Sequence, residues 1–389
     1  MKKIIFDTDI GGDCDDAGAL ALLHECGRAG MSELLAVTIS TMSPYAAGCA
    51  DAINRWYGHE VPVGQTKTAP SGEDATFFEK SYGKHIAETY ENAYFGENAK
   101  VPEDAVRLLR KTLAENRGEK ITLVVVGSCI NIAALLESGG DDISPLSGKE
   151  LLEKEAEEIS FMGCFFPTRE IPEIWFGDFR MEAECNIAVD VSGARTLFGK
   201  CPVPVAVAHY LVGRSILTGG ILIERDRKNP VAESYFVHSH GNRESWDLVA
   251  AYYAVFGADG IFSLGKRGTV KIDERGVSLF EEDVSGKHSL IACNDPVRAE
   301  ERLDDVPYRR TRKTRLKSIW RGFKLLGEKS LSESVCFRLT ARGGRGAVGF
   351  LILDPKFRRA AADDLMKGLA ELSRGGESDH LRNFVDVAV

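Results

Sequence analysis

The chain reads as an α/β protein with an open, mostly parallel central sheet and helices on both faces. Three observations predict this. Short apolar runs rich in β-branched residues alternate with amphipathic stretches, as in repeated βα units. Five aspartates, Asp7, Asp9, Asp13, Asp15 and Asp16, follow directly on the first of those runs, Ile4-Ile5-Phe6. That places them at a strand's C-terminal end, the edge where ligands bind in open α/β sheets. Finally, 389 residues of 44% apolar content can bury a full core, as one large domain or as one domain with an appendage.

Taken in order, Lys3 to Phe6 reads as a buried parallel strand, Gly11-Gly12 as the turn leaving it, and Asp16 to Arg28 as the helix that follows. The same alternation predicts strands at Leu34 to Ile39, Val61 to Val63, Ile121 to Val126, Ile159 to Met162 and Val203 to Ala208. Helices are predicted at Ala46 to Tyr57, Pro102 to Asn116, Asn131 to Glu137, Ser192 to Phe198 and Ser245 to Phe256, the last with Ser245 as N-cap. Ser43 to Ala47, Ser71 to Asn98 and Phe165 to Met181 read as loops above the functional edge, the last rich in aromatic and charged residues as a lid would be.

So many carboxylates in ten positions raise one another's pKa values unless a hard cation such as Ca²⁺ or Mg²⁺ takes their oxygens. A divalent-metal site is therefore the expected reading of Asp7 to Asp16, against a solvated acidic turn capping a helix. An EF-hand loop counted from Asp7 fails at its twelfth position, which is Gly18. A metal-dependent phosphatase of the haloacid-dehalogenase kind would take Asp7 as nucleophile, Asp9 as acid and Ser40 or Thr41 as the phosphate-binding hydroxyl, but leaves Asp15 and Asp16 without a task.

Composition narrows the class further. A net charge of −9 argues against a general nucleic-acid binder. No apolar run reaches the length of a membrane span, and Met1-Lys2-Lys3 leads into a strand rather than a signal peptide, so a cytoplasmic protein is expected. Nine scattered cysteines without a CxxC pair read as reduced packing residues.

Three further segments carry polar groups suited to a site. GSCINIA, residues 127–133, is a βα turn whose carbonyls could ligate a cation. Asp178 and the run Glu184-Cys185-Asn186 offer acidic and amide groups to sugar hydroxyls, with a loop surface as the plainer reading. Ser245-Trp246-Asp247 opens a helix, and Asp247 in its first turn has an ordinary structural reading too.

Together these pieces resemble the nucleoside hydrolase family, inosine-uridine-preferring type, from Met1 to about Leu303. The most specific match is DTDIGGDCDD, the variant of the family's aspartate signature with two extra residues before the final Asp pair. GSCINIA and AECNIAVD match two further blocks in order. The resemblance implies a Rossmann-like nucleoside hydrolase fold and one Ca²⁺ held by Asp9, Asp16, the Ile130 carbonyl and Asp247. It also implies Asp15 and Asn186 on the ribose hydroxyls, Glu184 and Asp178 toward the 5′-hydroxyl, and Asp7 as support behind the ligands. Asp13 falls in the extra residues and receives no role. A small-molecule nucleoside substrate and a homo-oligomer, dimer or tetramer, are implied as well.

The chemistry fits these residue types. Breaking an N-glycosidic bond develops positive charge on the ribosyl and needs an activated water, so Asp9, shared between metal and water, is the expected general base. The leaving-group side departs from the family. Trp246 stands where a histidine usually precedes the last metal aspartate; an indole could stack on a base, and His85, His238 and His240 are the candidate replacements for the acid. Asp178 replaces an Asn, Ser43 stands where an Asn usually reaches the sugar, and Ile130 replaces a Thr. A non-catalytic ribosyl-ligand binder that kept the metal is the third functional class beside hydrolase and phosphatase.

Outside the resemblance, residues 305–389 form an expected extension. Residues 308–329 carry nine Lys or Arg against the single acid Glu328, a basic helix face with RNA, an anionic surface or a partner subunit as its alternatives to plain solvation. Strands at Val335 to Leu339 and Ala347 to Leu353 and a helix at Pro355 to Leu372 are predicted after it.

Overall fold

The structure, a computed structural model, describes residues 1–176 and 179–305. Asp178, the basic stretch 308–329 and the elements predicted after it lie outside the described residues.

Strand β1 (Lys2–Thr8) alternates its side chains between two cores: Ile4 and Phe6 enter one, Ile5 the other. It is buried on both faces because helices cover both, as parallel sheets require. β1 pairs in parallel with β2 (Ser32–Ile39) on one side and with Ile121–Val125 on the other. The full sheet has ten strands. From one edge they run Glu103–Asp104, Val63–Gln65, β2, β1, Ile121–Val125, Ala156–Met162, Val205–Ala208, His288–Cys293, Phe262–Ile272 and Ser278–Glu282. All neighbours are parallel as far as His288–Cys293, and the last two pairings are antiparallel.

The six strands and six helices predicted within the described residues all form, with shifted ends. Pro62 has no N–H to give a ladder, and the third strand runs Val63–Gln65 instead of Val61 to Val63. The helix expected from Pro102 begins at Ala105, because Glu103–Asp104 joins the sheet edge and the Asp104 carboxylate caps the helix through Arg107 N–H at 2.9 Å. Two of the expected loops carry structure. Ser71 to Asn98 holds a 3₁₀ turn (Ala75–Lys80) and a helix (Tyr82–Thr89) that Ser81 caps. Phe165 to Met181 holds a small antiparallel pair, Ile174–Phe176 with Phe179–Met181.

Helix α1 (Asp15–Arg28) and the helix Trp246–Phe256 lie together on one face. They approach closely at Gly18, where a Cβ would stand 2.5 Å from the Tyr235 hydroxyl and 2.9 Å from a Leu248 methyl. That crossing brings the N-termini of the two helices, and with them Asp15, Asp16 and Asp247, to the same end of the sheet.

Candidate active site

Between β1 and α1 the chain turns at Gly11, whose φ of 120° is glycine territory. The turn is held from outside: Tyr82 Oη accepts the Gly11 N–H at 3.0 Å, and Gly83 lies so close that a Cβ there would meet Gly11 Cα at 2.6 Å. Past the turn, one carboxylate oxygen each from Asp15, Asp16 and Asp247 converge within 4.8 Å of one another, all three side chains buried. Thr8 Oγ1 donates to Asp16, and the Asp247 N–H donates to Asp15 Oδ2 at 3.0 Å. Burial first pushes all three carboxyls well above the ordinary range, and nearby carboxylate charge adds to it: Asp13 on Asp15, Asp9 and then Asp15 on Asp16, and Asp15 and Asp16 on Asp247. Three hard oxygen donors that repel one another in a dry pocket suit a divalent cation such as Ca²⁺.

Asp9 stands half-buried beside this group. Burial, with Asp13 and Glu73 nearby, raises its pKa. Its backbone is pressed from behind by Gly127, the first residue of the GSCINIA turn: a Cβ there would sit 2.7 Å from Asp9 N and 2.3 Å from Ser40 Oγ. The turn is tied down by Ser128 Oγ, which donates to Ser40 O at 3.0 Å. Ile130, first residue of the helix Ile130–Glu137, follows at the same edge.

Asp7 is enclosed by its own partners. It is 1% exposed, and its Oδ2 accepts Thr38 Oγ1 at 2.5 Å and Asn131 Nδ2 at 2.8 Å. Burial, opposed by those two donors, sets its pKa at about 7. Ser40 and Thr41 are buried as well. The Asp7 Oδ2 is committed to Thr38 and Asn131, and no feature of the described site favours the phosphatase reading.

Glu184 and Asn186 reach the edge of the site with most of their hydrogen-bonding capacity spent. Glu184 caps the helix Cys185–Val189 and takes backbone N–H groups from Asn186 at 3.1 Å, Ile187 at 3.3 Å and Cys164 at 3.3 Å. Burial nonetheless lifts its pKa to about 7. Asn186 Nδ2 donates to Val126 O at 2.8 Å and Met162 O at 3.3 Å, so what it can offer a ligand is its carbonyl oxygen.

The leaving-group candidates separate. His85 is engaged by Glu233 at 3.2 Å, and His240 ends a helix in the left-handed conformation with its ring edge on Phe236. His238 lies closer, 3.3 Å from the Asp13 carboxylate. Trp246 is held by its own partners: its ring stacks on Tyr210 with centroids 5.5 Å apart, and its Nε1–H donates to the Tyr210 carbonyl at 2.9 Å. Ser245 sits at the N-cap position without capping; its hydroxyl bonds Thr218 Oγ1 at 2.6 Å instead. Tyr210 and Arg243 had no sequence signal beyond an aromatic after a strand and a cation three residues ahead of Trp246.

Residues 4–292 match the model of the inosine-uridine preferring nucleoside hydrolase family. The chain belongs to this family. Its fold resembles solved nucleoside hydrolases: the inosine-uridine preferring enzyme from Bacillus anthracis, with a TM-score of 0.60 at 16% identity over 79% of this chain and 99% of that one. The plant nucleoside hydrolase PpNRh1 has a TM-score of 0.57 at 20% identity over 79% and 99%. The type III effector XopQ, solved with adenosine diphosphate ribose, has 0.56 at 15% identity over 79% and 93%. At these identities the likeness speaks to the fold. No curated protein matches the chain in sequence. Among the described residues, no helix is long and apolar enough to cross a membrane.

Proposed function

We propose that the protein hydrolyses the N-glycosidic bond of a ribonucleoside, or of a related N-ribosyl compound, to free base and ribose. The observation that carries this reading is the convergence of buried Asp15, Asp16 and Asp247 at the sheet edge beside half-buried Asp9. Asp9, Asp16, Asp247 and the Ile130 carbonyl are the groups assigned to Ca²⁺. When bound, the ion supplies positive charge that orients the ribose hydroxyls and acidifies a water. Asp15 and the Asn186 carbonyl hold those hydroxyls; Glu184 faces the 5′ end, the role also assigned to Asp178, which lies outside the described residues. Asp9 takes a proton from water as its oxygen bonds the anomeric carbon and the base leaves with the electron pair of the broken C–N bond. Asp7, locked by Thr38 and Asn131, keeps the strand end in place behind Asp9.

The test is ribose release from inosine, adenosine, guanosine, uridine and cytidine, with and without a calcium chelator. Chelator-sensitive release is expected. Tight calcium binding with no ribose from any of them would replace the hydrolase by a ribosyl-ligand binder.

A further inference from the structure

Asp13 has no part in the reaction described above, yet it is heavily engaged. Arg243 Nε lies 2.9 and 3.0 Å from its two oxygens, Arg243 Nη2 donates to it as well, and His238 Nε2 stands 3.3 Å away. Arg243 Nη1 also donates to Glu244 at 3.0 Å. The guanidinium carbon then lies 4.9 Å from the centre of the Trp246 ring, within cation–π range. Asp13, Cys14 and His238 come as close together as a cation site would require, but a guanidinium already on the Asp13 oxygens opposes a metal ion there. The cluster is an ion-paired brace.

Two departures from the family's usual pattern meet in it. Asp13 belongs to the extra residues in the aspartate signature, and Trp246 replaces the histidine before the last metal aspartate. They are far apart in sequence, and one guanidinium joins them. Neither arginine nor tryptophan gives up a proton at neutral pH, so the joined pair supplies shape rather than acid.

We propose that Asp13, Arg243 and Trp246 are one positioning unit: Asp13 holds the guanidinium, and the guanidinium sets the indole that forms the leaving-group wall. The inference rests on the hydrolase reading for its effect on catalysis, but its structural half does not. Asp13 and Arg243 act through Trp246 and touch no reacting atom.

The experiment uses the full chain with calcium and the variants Asp13→Asn, Asp13→Glu, Arg243→Met and the double variant Asp13→Asn/Arg243→Met. Each single loss-of-charge variant is expected to lower kcat/KM on nucleosides about tenfold, as for a lost charge-assisted contact. The double variant should be no worse than either single one, since both break the same brace. Asp13→Glu should restore most of the rate. p-Nitrophenyl riboside, whose activated aglycone departs with little demand on a shaped nucleobase wall, should change less than about threefold, and calcium affinity likewise. In protein labelled with 5-fluorotryptophan, the ¹⁹F signal assigned to Trp246 by Trp246→Phe should shift in Asp13→Asn.

An unmoved Trp246 signal overturns the inference, as does additive loss in the double variant. A parallel fall in p-nitrophenyl riboside turnover and calcium affinity also overturns it, because the brace would then serve the metal loop. If the wild-type protein releases no ribose at all, the hydrolase reading fails, and the ¹⁹F signal alone decides whether the brace exists.

Discussion

On the side of Asp7 to Asp16 the site is made of buried carboxylates fixed by backbone: strand ends, the Gly11 turn, the Asp247 N–H on Asp15 and the pressure of Gly127 on Asp9. On the side of Tyr210, Arg243 and Trp246 it is made of half-buried side chains that fix one another by stacking and ion pairing. Backbone-fixed positions tolerate few residue types, because a changed side chain meets neighbours that cannot move. Side-chain-fixed positions can be exchanged as a set. Trp246, the departure expected at the leaving group, falls where the second construction holds.

The largest test of this contrast is Asp9→Asn, expected to lower ribose release about a thousandfold, the scale of a lost general base. A loss below about tenfold would put the base elsewhere and weaken the metal side's claim to the chemistry. Next comes Gly127→Ala. Its new methyl would meet Ser40 Oγ and Asp9 N, so thermal or urea unfolding should show a loss of roughly 1–3 kcal/mol, with ribose release falling further than stability explains. Gly139→Ala, which meets nothing within 4 Å, is the control; equal effects at both glycines would remove the backbone argument.

Smaller still is an effect from outside both walls. His24, in α1, is buried with Nε2 on Asn54 at 2.8 Å and its ring between those of Tyr57 and His59. Burial lowers its pKa to about 4. The folded state therefore binds fewer protons than the unfolded chain between that value and the ordinary histidine pKa of about 6.5. Stability should fall as pH drops through this window, by roughly 2 kcal/mol at about pH 5, and His24→Gln should flatten the curve. An unchanged curve would assign the acid sensitivity to other groups. The tenfold loss expected for Asp13→Asn is the smallest in free energy, about 1.4 kcal/mol.

Much of this was legible in sequence because it is local. β1 and the helix after it follow from apolar spacing, and five aspartates beside a Gly-Gly turn announce a ligand edge. The antiparallel end of the sheet was not legible. Phe262–Ile272 exposes Gly265, Lys266 and Arg267 at its middle, so neither an alternating nor a continuous apolar pattern survives there. The helix Tyr82–Thr89 was hidden in an expected loop because it is only eight residues long, too short for a clear period.

The sequence by itself determined the α/β class, the family and the carboxylate wall, since apolar periodicity and a dense acidic signature are written in consecutive residues. Only the tertiary structure decided that Asp7 is enclosed, that Asp15 joins Asp16 and Asp247, that His85 is taken by Glu233, and that Arg243 bridges Asp13 to Trp246. Each depends on which distant side chains meet once helices and strands pack. Ion pairs and ring contacts of that range leave no periodicity in the chain, because their partners are chosen by the sheet order and the helix crossings.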